Sequence, residues 1–283
     1  MRLDAAASSA LRSALARPAR PANWLGVTPT AAYVRISSAP GVIALLAHDA
    51  VRLPCALLLP TTAAELPLTC LTEAGGDPVI GAGCLTWTGP AGHVDVRAVR
   101  EWAPARVRPV PELCDWGSAV DRATAGPQPG CSVAAALNAA RHDALPAPAA
   151  LGIDGELLTL LTTEPATAVA GLLGNGPGLT PSGDDVLAGF LLGARAFGLD
   201  VASARAAVAA MAPTRTSALS AALLWHAARD ECVDEVAAFV AHPSRPALSA
   251  LLRVGHTSGA ALGVGLATAA LAALSTGTAG EAA

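Results

Sequence analysis

Residues 174–185 read Gly-Asn-Gly-Pro-Gly-Leu-Thr-Pro-Ser-Gly-Asp-Asp and separate an apolar segment ending near Leu173 from a second one beginning at Val186. Four glycines in this run permit positive φ, and two prolines fix φ between them. A backbone built this way brings its N–H groups close to a ligand and then enters a helix. Ser182 is the expected N-cap, with Asp185 in the capping-box position three residues on, where Glu or Gln is more usual. Asp184 and Asp185 then fall in the first helical turn, where the dipole favours carboxylates. A helix entry alone explains the two acids, but it does not require four glycines and Thr180 as well. The stretch therefore reads as a ligand site.

Two further segments share its character. Thr214-Arg215-Thr216-Ser217 follows Pro213 and precedes an apolar helix, and Gly255-His256-Thr257-Ser258-Gly259 stands at another helix start. Each alone is an ordinary hydroxyl cap. Together they place glycine and hydroxyl groups at three helix N-termini, whose free N–H groups and positive dipole ends make an anion site. That matters because the chain has no lysine, which removes a P-loop lysine and a Schiff-base lysine from consideration. Arg215 is the expected bidentate partner for a carboxylate or phosphate. His256 is the expected general acid or base, being the one of six histidines within these motifs. His226 is expected to pack on its helix, and Glu231, Asp234 and Glu235 read as a solvated acidic face. Two adjacent carboxylates repel a bare anion. They fit either a Mg²⁺ bridging them to phosphate or a substrate whose carbamoyl or ureido N–H groups they accept.

The run GNGPGLTPSGDD, followed by VLAGFLLGA, closely resembles the signature of the family containing the AllH-like subunit of oxamate carbamoyltransferase, and the TRTS and GHTSG segments fit the same family in order. The resemblance covers about the last half of the chain. Where members often carry Asp after the final Ser-Gly, this chain has Ala260 and Ala261. The resemblance implies a transferase subunit in purine (allantoin) catabolism that converts oxalurate and phosphate to oxamate and carbamoyl phosphate, working with other carbamoyltransferase subunits. On that reading the Gly176–Gly183 backbone with Gly176, Gly178, Thr180, Ser182 and Gly183 holds the anion. Arg215, Ser217, Thr257 and Ser258 complete the substrate site, while Asp184, Asp185 and His256 act in catalysis. No cofactor is demanded, and Mg²⁺ on Asp184 and Asp185 is the one metal considered. The rival readings are a non-catalytic metabolite-binding or assembly subunit and another Mg²⁺-dependent phosphate-handling enzyme.

The rest of the chain sets the frame. It has 283 residues, a net charge of −4, and 53% hydrophobic but only 3% aromatic residues, so its core must be mainly Ala, Leu and Val. No basic excess marks a nucleic-acid surface. Cys55, Cys70, Cys84, Cys114, Cys131 and Cys232 form no CxxC pair, which predicts scattered thiols in a cytoplasmic protein. The start, MRLDAAASSALRSALARPARPA, lacks the apolar core of a secretory signal and predicts an amphipathic helix over 3–15, ended by Pro18 and Pro21.

Short apolar runs at 32–36, 42–46, 56–59, 83–87 and 93–96 predict strands, with a hairpin turn at 89–92. A proline-rich linker is expected over 101–129 and a short helix from Ser132 to about Arg141. Helices are expected at about 155–161, 165–173, 183–197, 201–211, 217–229, 232–241, 247–254 and 258–274. Residues 257–280 carry no charge and are long enough to span a membrane. Their Ala, Gly, Ser and Thr content instead predicts a buried central helix. The fold class expected is α+β: a β-rich N-terminal domain (1–130) and an all-helical C-terminal domain (131–283).

Overall fold

The computed structural model describes residues 1–72, 75–89, 92–110, 145 and 147–280. The chain forms two compact units, Met1–Ala105 and Arg106–Ala283. The boundary expected near residue 130, most of the 101–129 linker and the helix expected from Ser132 lie outside the described residues.

The first unit is a nine-stranded sheet, as the strand-rich pattern predicted. Its strands are β1 (Arg2–Ser8), β2 (Arg20–Pro21), β3 (Asn23–Val27), β4 (Ala31–Arg35), β5 (Val42–Leu46), β6 (Ala56–Leu58), β7 (Val79–Gly81), β8 (Cys84–Gly89) and β9 (Gly92–Trp102). The spatial order is β2-β7-β8-β9-β1-β6-β5-β4-β3. The two edge strands of that order are consecutive in the chain, separated only by Ala22, whose N–H bonds to the Pro78 carbonyl at 2.8 Å. One extended stretch thus pairs with β7 through its first residues and with β4 through its last, and it nearly closes the sheet. Closure removes most of the unpaired edge that an open sheet would expose. Within the unit, Trp24 and Trp87 meet edge to face at 5.3 Å. The Trp87 indole N–H is satisfied by the Leu71 carbonyl at 2.7 Å, from α2 (Leu68–Thr72).

One expectation fails here. Residues 3–15 are not a helix: Arg2–Ser8 is a strand, Ser9–Leu11 a 3-10 turn, and only Arg12–Ala16 (α1) is helical. β1 lies at the centre of the sheet, parallel to β9 on one side and antiparallel to β6 on the other. Alanine's helix preference amounts to tenths of a kcal/mol per residue, whereas a central strand satisfies its backbone on both sides and buries Ala5 and Ala7 in the core. Pro21, expected to end that helix, instead sits in the two-residue edge strand β2, where a missing N–H is tolerated. The strands β3 and β7 escaped the sequence pattern because both are short and interrupted by Gly or Pro.

The second unit is helical. Its helices are α3 (Gly155–Thr163), α4 (Pro165–Leu172), α5 (Ser182–Phe197), α6 (Ala202–Arg215), α7 (Ala218–Ala227), α8 (Asp234–Ala241), α9 (Arg245–Leu252) and α10 (Ser258–Gly280). All eight expected helices are present. The largest difference is in α10, which runs on to Gly280 instead of ending near Leu274, and α6 runs through Pro213 to Arg215 instead of stopping at Met211.

At its centre α5 lies against α10. All residues of α5 except Arg195 and Phe197 are buried, and the apolar stretch Ser258–Thr276, whose mean hydropathy of 1.6 would suit a membrane span, is 72% buried inside the protein. The two helices touch backbone to backbone. A Cβ added at Gly189 would lie 2.2 Å from the Leu262 carbonyl oxygen, one at Gly265 would lie 2.1 Å from that of Val186, and one at Gly193 would meet the Ala269 methyl at 2.7 Å. Residue numbers rise together along both helices, so they run parallel and their N-termini share one end.

Gly265→Ala must therefore push the helices apart. Overpacking of this kind costs about 1–3 kcal/mol or more, and we expect a loss of about 3 kcal/mol in urea unfolding of the variant. An unchanged midpoint would contradict the backbone contact.

Candidate functional site

The parallel pair α5 and α10 brings all three sequence motifs to one place. The loop from Gly174 to Pro181 enters α5. Thr216 and Ser217 follow α6 and open α7, and Ser258 opens α10. Hydrogen bonds join them: Thr180 and Ser258 hydroxyls lie 3.1 Å apart, the Thr216 hydroxyl donates to Asp184 Oδ2, and the Ser217 hydroxyl donates to the Leu179 carbonyl.

The helix entry differs from the expected cap. Pro181, not Ser182, is the N-cap residue, with φ −51° and ψ 139°, and Ser182 is the first helical residue. Proline's fixed φ already suits this position, and its carbonyl receives the Asp184 and Asp185 N–H groups at 3.0 and 3.2 Å. No capping box forms, so both carboxylates are released for other contacts. Asp184 turns back to accept the Gly174 N–H at 2.9 Å, ten residues earlier, and takes the Thr216 hydroxyl on its other oxygen. It clamps the loop shut. Gly183 makes the clamp possible, since a Cβ there would lie 2.1 Å from the Leu172 carbonyl oxygen. Gly176 has φ +115°, and a side chain there would press on the Ser182 nitrogen. With the Gly183 N–H bound to the Asn175 carbonyl at 2.8 Å, the N–H groups of Gly176, Gly178, Leu179, Thr180 and Ser182 have no acceptor among the described residues.

The electrostatics of the two acids diverge. Burial raises the Asp184 pKa, opposed by hydrogen bonds from Thr216, Gly174 and Ser220. Asp185 is more strongly affected: burial pushes its carboxyl up to about 7, the Ser258 hydroxyl bond lowers it, and the nearby Asp184 charge raises it. Its Oδ2 is buried without a hydrogen-bond partner. Burial thus weakens the charge of both acids at an end where two helix dipoles present positive poles.

Other expected site residues stand apart. Arg215 is exposed at the end of α6, and its guanidinium donates to the Ala170 carbonyl at 3.2 Å rather than to the loop. His256 is exposed, and no hydrogen bond joins its ring to the described residues. Thr257 is half-buried and offers its carbonyl to the Ala261 N–H at 3.0 Å. Ser217 does cap α7, accepting the Ser220 N–H at 3.0 Å. Conversely, the motif reading passed over Thr216, which bonds to Asp184, and Ser220, whose hydroxyl donates to the Leu179 carbonyl at 3.4 Å. No local signal could reveal Thr216: its partner is 32 residues away.

The donor set does not fit a resident Mg²⁺. Both Asp184 oxygens already accept bonds from the protein, burial holds Asp185 towards its neutral form, and no group of three or more His, Cys, Asp and Glu gathers among the described residues. The arrangement is better suited to hydrogen bonding.

The acidic cluster at 231–235 is a correction. Glu231 is buried, not solvated: it accepts from Arg106 Nη2 at 2.6 Å and pairs with Nδ1 of the fully buried His226 at 2.7 Å. Burial lowers the His226 pKa. Burial opposes the effect at Glu231, yet the bonds from His226 and Arg106 still hold its pKa below the ordinary value. His226 thus does more than pack on its helix. It anchors the chain around Asp230, whose own carboxylate meets Arg195 at 3.3 Å and Arg205 at 2.9 Å.

Two outcomes follow from these environments. Asp185 binds a proton more tightly folded than unfolded, so its contribution to stability is full below about pH 4 and is lost as pH rises through about 7. Asp185→Asn should therefore be more stable than the parent at pH 8 and should flatten this part of the profile, as read by urea unfolding at pH 5 and 8. Thr216→Val strands an Asp184 oxygen and should cost about 1–3 kcal/mol in the same assay.

Comparison with known proteins bears on the same segment. The family model for oxamate carbamoyltransferase subunit AllH matches residues 172–270, from the end of α4 through most of α10. No solved structure matches the chain. The match spans the glycine loop, Thr216 and Ser258, so the segment in which all three motifs converge is similar to the family of the oxamate carbamoyltransferase subunit AllH.

Proposed function

We propose that the chain is a subunit of a carbamoyltransferase acting on a small ureido acid, and that the loop at the α5 and α10 N-termini binds its substrate. The reaction is oxalurate plus phosphate giving oxamate and carbamoyl phosphate, carried out with other subunits. The observation that carries this reading is the convergence of three hydroxyl- and glycine-rich motifs on the buried Asp184–Asp185 pair. Free loop N–H groups suit the anionic end of such a substrate, and carboxyl oxygens suit its amide N–H groups. In the reaction a phosphate oxygen bonds to the carbamoyl carbon, the C–N bond to the oxamate nitrogen breaks, and that nitrogen takes up a proton. Orientation and oxyanion stabilisation would supply most of the rate.

A binding-only subunit is the second reading. It is favoured by the surface positions of Arg215 and His256, which leave the site without a basic side chain among the described residues. In that case a partner subunit brings the cation.

The test is thermal unfolding of the full chain with phosphate, carbamoyl phosphate, oxamate or oxalurate, each with and without Mg²⁺. A ligand of the native state raises the midpoint by mass action, by about 2.7 kcal/mol of stabilisation at 100 times its Kd. We expect a rise with oxamate or oxalurate that is independent of Mg²⁺ and lost in Asp184→Asn. A rise that needs Mg²⁺ would instead point to a metal-bridged phosphate site. Binding without turnover after partner subunits are added would select the second reading.

A further inference from the structure

His226 is fully buried at the end of α7, and its ring is only half satisfied. Nδ1 meets Glu231 Oε2 at 2.7 Å, whereas Nε2 is enclosed without a hydrogen-bond partner among the described residues. An ionised Glu231 can only accept, so Nδ1 carries the proton and Nε2 the lone pair. A second proton would put a charged, orphaned N–H in the same enclosed place, at a greater cost than the orphaned acceptor. The ring also stands at a tether. Glu231 accepts from Arg106 Nη2 at 2.6 Å, and the Asp230 carbonyl accepts the Val107 N–H at 2.9 Å. Residues 106 and 107 are thus tied to the turn after α7 through Glu231, the ring's own partner, and through its neighbour Asp230.

We propose that His226 is a proton-sensitive latch: the neutral ring keeps the turn after α7 closed on Arg106 and Val107, and its protonation opens that turn and releases them. A protonated Nε2 needs an acceptor, and water supplies one once the turn opens. α7 itself packs on α5 and α6, so the turn is the part that can yield. Asp230 within it holds φ +66°, a left-handed conformation that costs a residue with a side chain some stability.

The charged groups around the ring set the range. Glu231 favours the charged ring, and Arg229, which lies over Trp225 at 3.6 Å, disfavours it. Of the helices packed on α7, α5 brings Arg195 and α6 brings Arg205 to this end, both paired with Asp230. Asp184, Asp185 and Arg215 lie at the other end, beside Thr216 and Ser217. Asp234 and Glu235 begin α8, just beyond Cys232. Burial is the largest influence and keeps the ring below its ordinary 6.5, while the bonds to Glu231 keep that carboxylate ionised. The solvated ring of the open turn binds its proton more tightly than the enclosed one. The closed form is therefore fully favoured above about pH 6.5 and is lost as pH falls below it.

The experiment is amide hydrogen exchange of the full ¹⁵N-labelled chain, followed by NMR from about pH 7.5 to about pH 5, with imidazole ¹⁵N shifts reporting the His226 ring. Protection of the Val107 and Asp230 amides, corrected for the intrinsic pH dependence, should fall more than about tenfold as the ring gains its proton, with α10 unaffected. His226→Gln should hold that protection constant with pH. Glu231→Gln, which removes the charge facing Nδ1, should move the opening to lower pH. A fall that survives in His226→Gln, or that strikes α10 equally, would overturn the latch. If His226→Gln does not fold, the parent decides alone. A ring that charges while Val107 stays protected contradicts the latch, and so does a ring still neutral at about pH 5.

Discussion

The backbone contact between α5 and α10 organises the second unit. Glycines 189 and 265 let the two helices approach until carbonyl oxygens lie where side chains would otherwise be. Such an approach maximises dispersion contacts in a core that has almost no aromatic residues to fill space. It also fixes the parallel arrangement, and hence the adjacency of Ser182–Asp185 and Ser258.

Parallel neighbours carry an electrostatic cost, because both dipoles place positive poles at one end. The chain offsets this with Asp184, whose carboxylate closes the loop onto Gly174 and Thr216. A second full charge at Asp185 would be poorly solvated, and burial keeps it near neutrality. The same requirement, balancing helix ends in a buried place, thus yields one carboxyl bonded on both oxygens and one with an oxygen left without a partner. Two adjacent aspartates acquire different chemistry from their surroundings alone.

Elsewhere polar groups are handled by local pairing. His226 and Arg106 both bond to Glu231 at the end of α7, with His226 Nε2 left without a partner, and Asp230 takes two arginines. In the first unit the backbone polar groups of the sheet are satisfied by near closure, with the stretch around Ala22 serving both edges. The described cysteines Cys55, Cys70, Cys84 and Cys232 form no disulfide, so neither unit is held by one among the described residues.

Periodicity alone determined the eight helices among the described residues of the second unit and five strands of the first, because long apolar repeats bounded by Gly and Pro leave little choice of structure. The loop at Gly174–Asp185 and its entry into a helix were equally legible, as glycine and proline act through the local backbone. Tertiary structure decided the rest. Arg2–Ser8 became a strand only because β9 and β6 flank it, and local propensity cannot report partners almost a hundred residues away. Likewise, nothing near Asp184 in the chain names Thr216 or Gly174, and nothing near Glu231 marks it as buried against Arg106, 125 residues earlier. Cap and charge patterns are local and readable. Which hydroxyl meets which carboxylate, and which acid is stripped of water, depends on how closely two glycine-bearing helices can approach.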